Sequence, residues 1–152
     1  MITKEDVLQA QNDWSNSFLE IVSLHQNNIN ISKATSDFID RLYYYEIGEV
    51  LFKPTLASEI QFRKTKEGAL SYFIGNNNNF SEDSGFALKS WSYIKWENSS
   101  VKIFDDIALA MGNYFFTNNE GVLKVEFSFV YKKDQNDKLR IILHDSHLPY
   151  KK

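Results

Sequence analysis

Residues 122–147 read VLKVEFSFVYKKDQNDKLRIILHDSH. Val125, Phe127, Phe129 and Tyr131 alternate with Lys124, Glu126, Ser128 and Lys132, the period of two that a strand with one buried face produces. The turn formers Asp134-Gln135-Asn136-Asp137 follow, and a second strand-like run, Leu139–Leu143, returns. Two such runs about a polar turn predict a β-hairpin. Strict alternation then puts Leu139, Ile141, Leu143, Asp145 and His147 on the core-facing side, and Arg140, Ile142, His144 and Ser146 on the other. Asp145 and His147 would stand where the apolar lining opens, their Cα atoms ~6.5–7 Å apart. A carboxylate so placed can orient an imidazole that acts as a general base. A solvated strand rim is the plain alternative for the same residues.

Moving back along the chain, further strand-like runs cover 87–98, 100–106 and 108–118, with NNEG at 118–121 as a turn and Asp105-Asp106 as a turn or strand end. Before Phe86 the period is helical. Residues 3–26 open with Thr3 as a cap and Glu5 and Asp6 in the first turn, then repeat Val7, Ala10, Trp14, Phe18, Ile21 and Val22 at helical spacing. A second helix is expected over 33–48, capped by Ser32 and stopped by Gly48. Residues 49–58 read as extended because Pro54 disfavours helix before it, and a third helix is expected over 65–75. Helices first and strands after predict an α+β fold, helices on one face of a mainly antiparallel sheet. The whole chain, 1–152, reads as one domain, with an N-terminal helix and loop over 1–31 and the core over 32–150.

Composition narrows the function classes. The chain is 43% hydrophobic and 15% aromatic, which supports a packed core. Seventeen basic residues face 20 acidic ones, a net charge of -3 with no long basic run, which disfavours nucleic acid. There is no cysteine, hence no disulfide, thiolate metal site or cysteine nucleophile. No segment has the apolar length of a signal peptide core or of a membrane span, so a cytoplasmic protein is expected. The histidines are His25, His144 and His147. The last two, three apart on a strand, point to opposite faces and make a poor metal clip, although a divalent metal stays open. Among the remaining features, Trp91, Tyr93 and Trp96 read as sheet packing or a subunit interface, with the lining of a hydrophobic ligand site as the alternative. Arg63 and Lys53, near Thr55, read as solvated charges or as an anion-attracting pair.

Six words of the sequence carry a resemblance: VLFKPTLAS (50–58), FRKTKEGALSYFIG (62–75), EDSGFALKSW (82–91), AMGNYFF (110–116), KVEFSFVY (124–131) and LRIILHDSHLP (139–149). In order and wording the chain resembles the iota-class carbonic anhydrases, a branch of the cone-shaped nuclear-transport-factor-2-like fold. The resemblance implies reversible CO2 hydration, CO2 or bicarbonate in the cone cavity, no cofactor, and a homodimer joined through the exposed sheet face. The family carries a His-His-Ser-Ser word where this chain has His144-Asp145-Ser146-His147. The resemblance assigns the active site to the second histidine and second serine of that word, with an earlier threonine and tyrosine. Carried over, these fall on Asp145, His147, Thr55 and Tyr72. A carboxylate at Asp145 beside an anionic product carries a Coulombic penalty. Two other readings therefore stand: a non-catalytic module that binds a small ligand or oligomerises, and a lyase or isomerase using Asp145 and His147 as an acid–base pair.

Overall fold

The computed structural model describes residues 1–152. Helix α1 spans Lys4–Gln26 and starts with a reciprocal cap: Asp6 N–H donates to the Thr3 hydroxyl, and Thr3 N–H donates to the Asp6 carboxylate at 2.8 Å. Its buried side, Val7, Trp14, Phe18, Ile21 and Val22, lies on the sheet. Helix α2 spans Ser32–Leu42 and α3 spans Lys66–Ile74, which ends at Gly75 with φ 68°.

Helix α2 departs from expectation at both ends. Ser32 is its first helical residue, not its cap; the Asn30 side chain accepts the Ser32 N–H at 2.9 Å. The helix also stops at Leu42, well before Gly48, because Tyr43 turns extended (ψ 134°) and bridges Ile141 in parallel. Pairing with the sheet overrides local helix propensity there.

The strands are β1 Leu51–Lys53, β2 Tyr93–Phe104, β3 Ile107–Asn118, β4 Gly121–Lys133 and β5 Leu139–His147. They form one sheet in the order β1-β5-β4-β3-β2, with β1 and β5 parallel and all other pairs antiparallel. The α+β expectation holds. Of the runs expected over 87–98 and 100–106, residues 93–104 form a single strand, β2, whose register shifts between Asn98 and Ser100, while Phe86–Leu88 is a 3-10 turn. Gly112 lies opposite this bulge, where a Cβ would come within 2.1 Å of the Glu97 carbonyl oxygen, so only glycine lets the two backbones approach. The hairpin turns fall where the turn formers predicted, with Asp105 and Asp137 in left-handed backbone. No helix is long and apolar enough to cross a membrane.

A second bulge decides which residues enter the core. Tyr131 pairs with Ile141 and Val130 with Leu143, leaving Ile142 as an extra residue in β5. One extra residue reverses the alternation beyond it. His144 and Ser146 therefore point inward and are buried, while Leu143, Asp145 and His147 turn to the outer face. The expectation that Asp145 and His147 face the core is overturned by this insertion.

Candidate active site

The site grows from the His144 ring. Phe52 of β1 and Phe129 of β4 are its register partners on either side, and their rings stack on it at centroid distances of 4.8 and 4.0 Å. Enclosed this way, His144 is 3% exposed. Burial, with a smaller contribution from the Lys53 charge, draws its pKa down to about 3, so the ring is neutral near pH 7.

Both ring nitrogens are engaged. Nδ1 lies 2.9 Å from the Tyr43 hydroxyl, which accepts the Trp14 indole N–H at 3.0 Å. Nε2 lies 2.9 Å from Ser146 Oγ and 3.0 Å from the Tyr114 hydroxyl, and those two hydroxyls also bond to each other. The early bend of the chain at Tyr43 positions one side of this cluster, and the bulge at Ile142 positions the other.

Thr55 and Tyr72, expected near each other, converge on the same cluster. Thr55 is half-buried and lies close to both the Tyr72 and Tyr114 phenols. Burial pushes both phenols far above the ordinary tyrosine value. The Thr55 side chain holds that rise back in each, as do the Leu56 N–H at 3.2 Å for Tyr72 and Ser146 for Tyr114. Both phenols therefore stay protonated and can serve as donors.

The segment carrying Thr55 is tied down by charge. Glu82 accepts the N–H groups of Ser58, Glu59 and Ile60 at 2.7, 3.0 and 2.7 Å. Burial raises the Glu82 pKa, but these bonds and the Arg63 charge outweigh it and bring it to about 2. Arg63 is 1% exposed and forms a two-pronged pair with Asp83 at 2.6 and 2.7 Å; it also donates to the carbonyls of Ile60 and Gly68. It is thus neither a solvated charge nor free for an anion. Lys53 remains nearby, half-buried, and donates to the carbonyls of Ser146 (2.9 Å) and Pro54 (3.1 Å). Burial lowers its pKa and the Asp145 charge opposes that shift.

Asp145 and His147 lie across the sheet from this cluster. His147 contacts the Glu126 carboxylate at 3.0 Å and Asp145 at 3.7 Å, and both side chains are more than 40% exposed. Asp145 also borders a shallow apolar cleft of about 370 Å³ with Leu51, Phe62 and Leu143, but His147 does not. An acid–base pair sharing one apolar pocket is therefore not formed. No group of three or more His, Cys, Asp or Glu side chains is arranged to hold a metal ion. Trp91 is buried as packing, its indole donating to the Phe86 carbonyl at 2.9 Å, whereas Tyr93 is exposed. Sequence reasoning missed Tyr43 and Tyr114, and put His144 and Ser146 on the wrong face. The period of Tyr114 with Phe116 was the available signal for Tyr114, but the extra residue at Ile142 has no signature in composition or turn chemistry.

Comparison with known proteins fits this geometry. Residues 5–148 match the family described as metal-independent carbonic anhydrase. A metal-independent carbonic anhydrase of Nostoc sp. (strain PCC 7120) is 42% identical over 153 residues, which cover 98% of this chain and 75% of that protein. The crystal structure of a cyanobacterial iota-carbonic anhydrase complexed with bicarbonate shares 39% identity and a TM-score of 0.96, covering 99% of this chain and 94% of the other. An NTF-2-like protein from Shewanella oneidensis MR-1, 13% identical, matches with a TM-score of 0.62 over 96% of this chain and 99% of its own, which extends the shared fold to that wider group. The chain belongs to the iota-class, metal-independent carbonic anhydrase family.

Proposed function

We propose that this protein catalyses the reversible hydration of CO2 to bicarbonate, without a metal, at a site formed by His144, Ser146, Tyr114, Thr55 and Tyr72. The observation that carries the reading is the buried imidazole–hydroxyl cluster of His144, Ser146 and Tyr114, with Thr55 and Tyr72 gathered against it. Its chemistry suits the reaction. CO2 is small and apolar and is compatible with the aromatic wall of Phe52, Phe129 and Tyr72. As water adds to the carbon, one C–O bond forms, negative charge spreads over the former CO2 oxygens, and the water gives up a proton that finally reaches solvent. Fixed hydroxyl donors in low-dielectric surroundings stabilise that charge without having to reorganise. The Lys53 charge adds a favourable field for an anion. The Asp145 carboxylate stands on the outer face beside its register partner Lys53, whose positive charge offsets it, which lessens the Coulombic objection raised by the departing family word.

A CO2 hydration assay by stopped-flow, in the presence of a chelator, tests the proposal. Turnover above buffer is expected, together with a loss of about 10²–10³-fold in Ser146→Ala, the scale for removing one donor to a developing oxyanion. Asp145→Asn and His147→Ala, the expectation from alternation, should stay within about twofold of the native enzyme, the small effect usual for exposed positions. Absence of hydration in the native protein would leave the ligand-binding reading.

The same reading includes a cytoplasmic homodimer. Its support is a cysteine-free chain and an outer sheet face that presents Tyr93, Leu109 and Met111 to solvent, at 56%, 39% and 60% exposure.

A further inference from the structure

The inner nitrogen of His144 meets a single partner, the Tyr43 hydroxyl, and the protons around it can be counted. An indole N–H only donates, so Tyr43 accepts from Trp14. Tyr43 is fully buried, and its ring is packed among Phe38, Phe52 and Phe73. The acceptor that its own hydroxyl proton can reach is His144 Nδ1, at 2.9 Å. Were Nδ1 protonated instead, the Tyr43 oxygen would accept two bonds and its O–H would have no acceptor, an orphaned buried donor.

We propose that Tyr43, itself held by Trp14, is a positioning residue that fixes His144 as the Nε2–H tautomer, so that the imidazole faces Ser146 and Tyr114 as a hydrogen-bond donor and not as a base. Donation then runs one way. Trp14 donates to Tyr43, Tyr43 to His144 Nδ1, and His144 Nε2–H to the Ser146 or Tyr114 oxygen. The hydroxyl that receives this bond directs its own proton onward, towards its neighbour. The end of the chain therefore presents O–H groups to the substrate oxygens, as stabilisation of a forming carbonate requires. Burial that keeps the ring neutral agrees with this role. Tyr43 acts through His144 and touches no reacting atom.

The kinetic part of this inference rests on the carbonic anhydrase reading; the spectroscopic part does not. Long-range proton–nitrogen correlation spectra of the histidine-labelled native protein at pH 7, with His144 assigned by its loss in His144→Gln, should show a protonated Nε2 and a bare Nδ1. A protonated Nδ1, or two averaged tautomers, overturns the proposal, and this decides the matter even if a Tyr43 variant fails to fold. In a folded Tyr43→Phe protein the His144 signals should become a tautomer mixture. Its kcat should fall on the order of tenfold to a hundredfold with KM within about twofold, as for a weakened transition-state donor. A folded Tyr43→Phe protein that keeps the single Nε2–H tautomer also overturns the proposal. If the native protein shows the expected tautomer but no CO2 hydration, the functional reading fails and the tautomer lock stands.

Discussion

A histidine ring clamped between Phe52 and Phe129 takes up a proton only against a large desolvation penalty, and that has a consequence for stability. The folded-state pKa of His144 is about 3, against 6.5 for a free histidine. Between those values the unfolded chain binds a proton that the native chain refuses, so stability is complete above about pH 6.5 and falls as pH drops towards 3. The slope approaches about 1.4 kcal/mol per pH unit from this one group. Urea midpoints measured from pH 7 to pH 5 should decline in the native protein and flatten in His144→Gln. Glu82 contributes in the same direction but only below its ordinary value of 4.5. Arg63 makes a separate residue-scale prediction. Arg63→Met leaves the Asp83 carboxylate buried without its partner, which should cost about 3–5 kcal/mol in denaturant unfolding. It should also loosen the Thr55 segment that Ile60 and Glu82 anchor.

Elements hold the lesson about legibility. The strands and hairpin turns were readable because the period-two pattern of Val125–Tyr131 and the turn formers at 118–121 and 134–137 are local signals. The site's facing was not readable. Alternation assumes an unbroken ladder, and a single extra residue at Ile142 inverted the outcome for every side chain after it, exchanging Asp145 and His147 for His144 and Ser146. The length of α2 was misjudged for a related reason: Tyr43 leaves the helix to pair with Ile141, a contact nearly a hundred residues away along the chain. Thr55 and Tyr72, in contrast, lie near each other, and the family words had pointed to both. The bulges also make predictions. Deleting Ile142 removes the extra residue and leaves Ile141 inward, Leu143 outward and His144 inward, so the site keeps its facing; near-UV circular dichroism should keep its native signature. Gly112→Ala puts a Cβ on the Glu97 carbonyl across the other bulge and should destabilise by at least about 3 kcal/mol, near or beyond the upper end for overpacking.

At the scale of the whole molecule, the sheet divides two chemistries. Its inner face carries a neutral, fully bonded polar cluster within an aromatic core, and its outer face carries Asp145, His147 and exposed apolar side chains. If the outer face joins two copies, sedimentation velocity should show a dimer at micromolar concentration, and Met111→Lys should shift it to monomer without loss of CO2 hydration. The inner face carries the central claim. The most direct measurement is CO2 hydration by chelator-treated native protein beside His144→Ala and the double change Asp145→His, His147→Ser, which restores the family word. Hydration by the native protein that is lost in His144→Ala and little altered in the double variant is the predicted result. Activity found only in the double variant would contradict the account, because it would return the chemistry to the outward-facing pair.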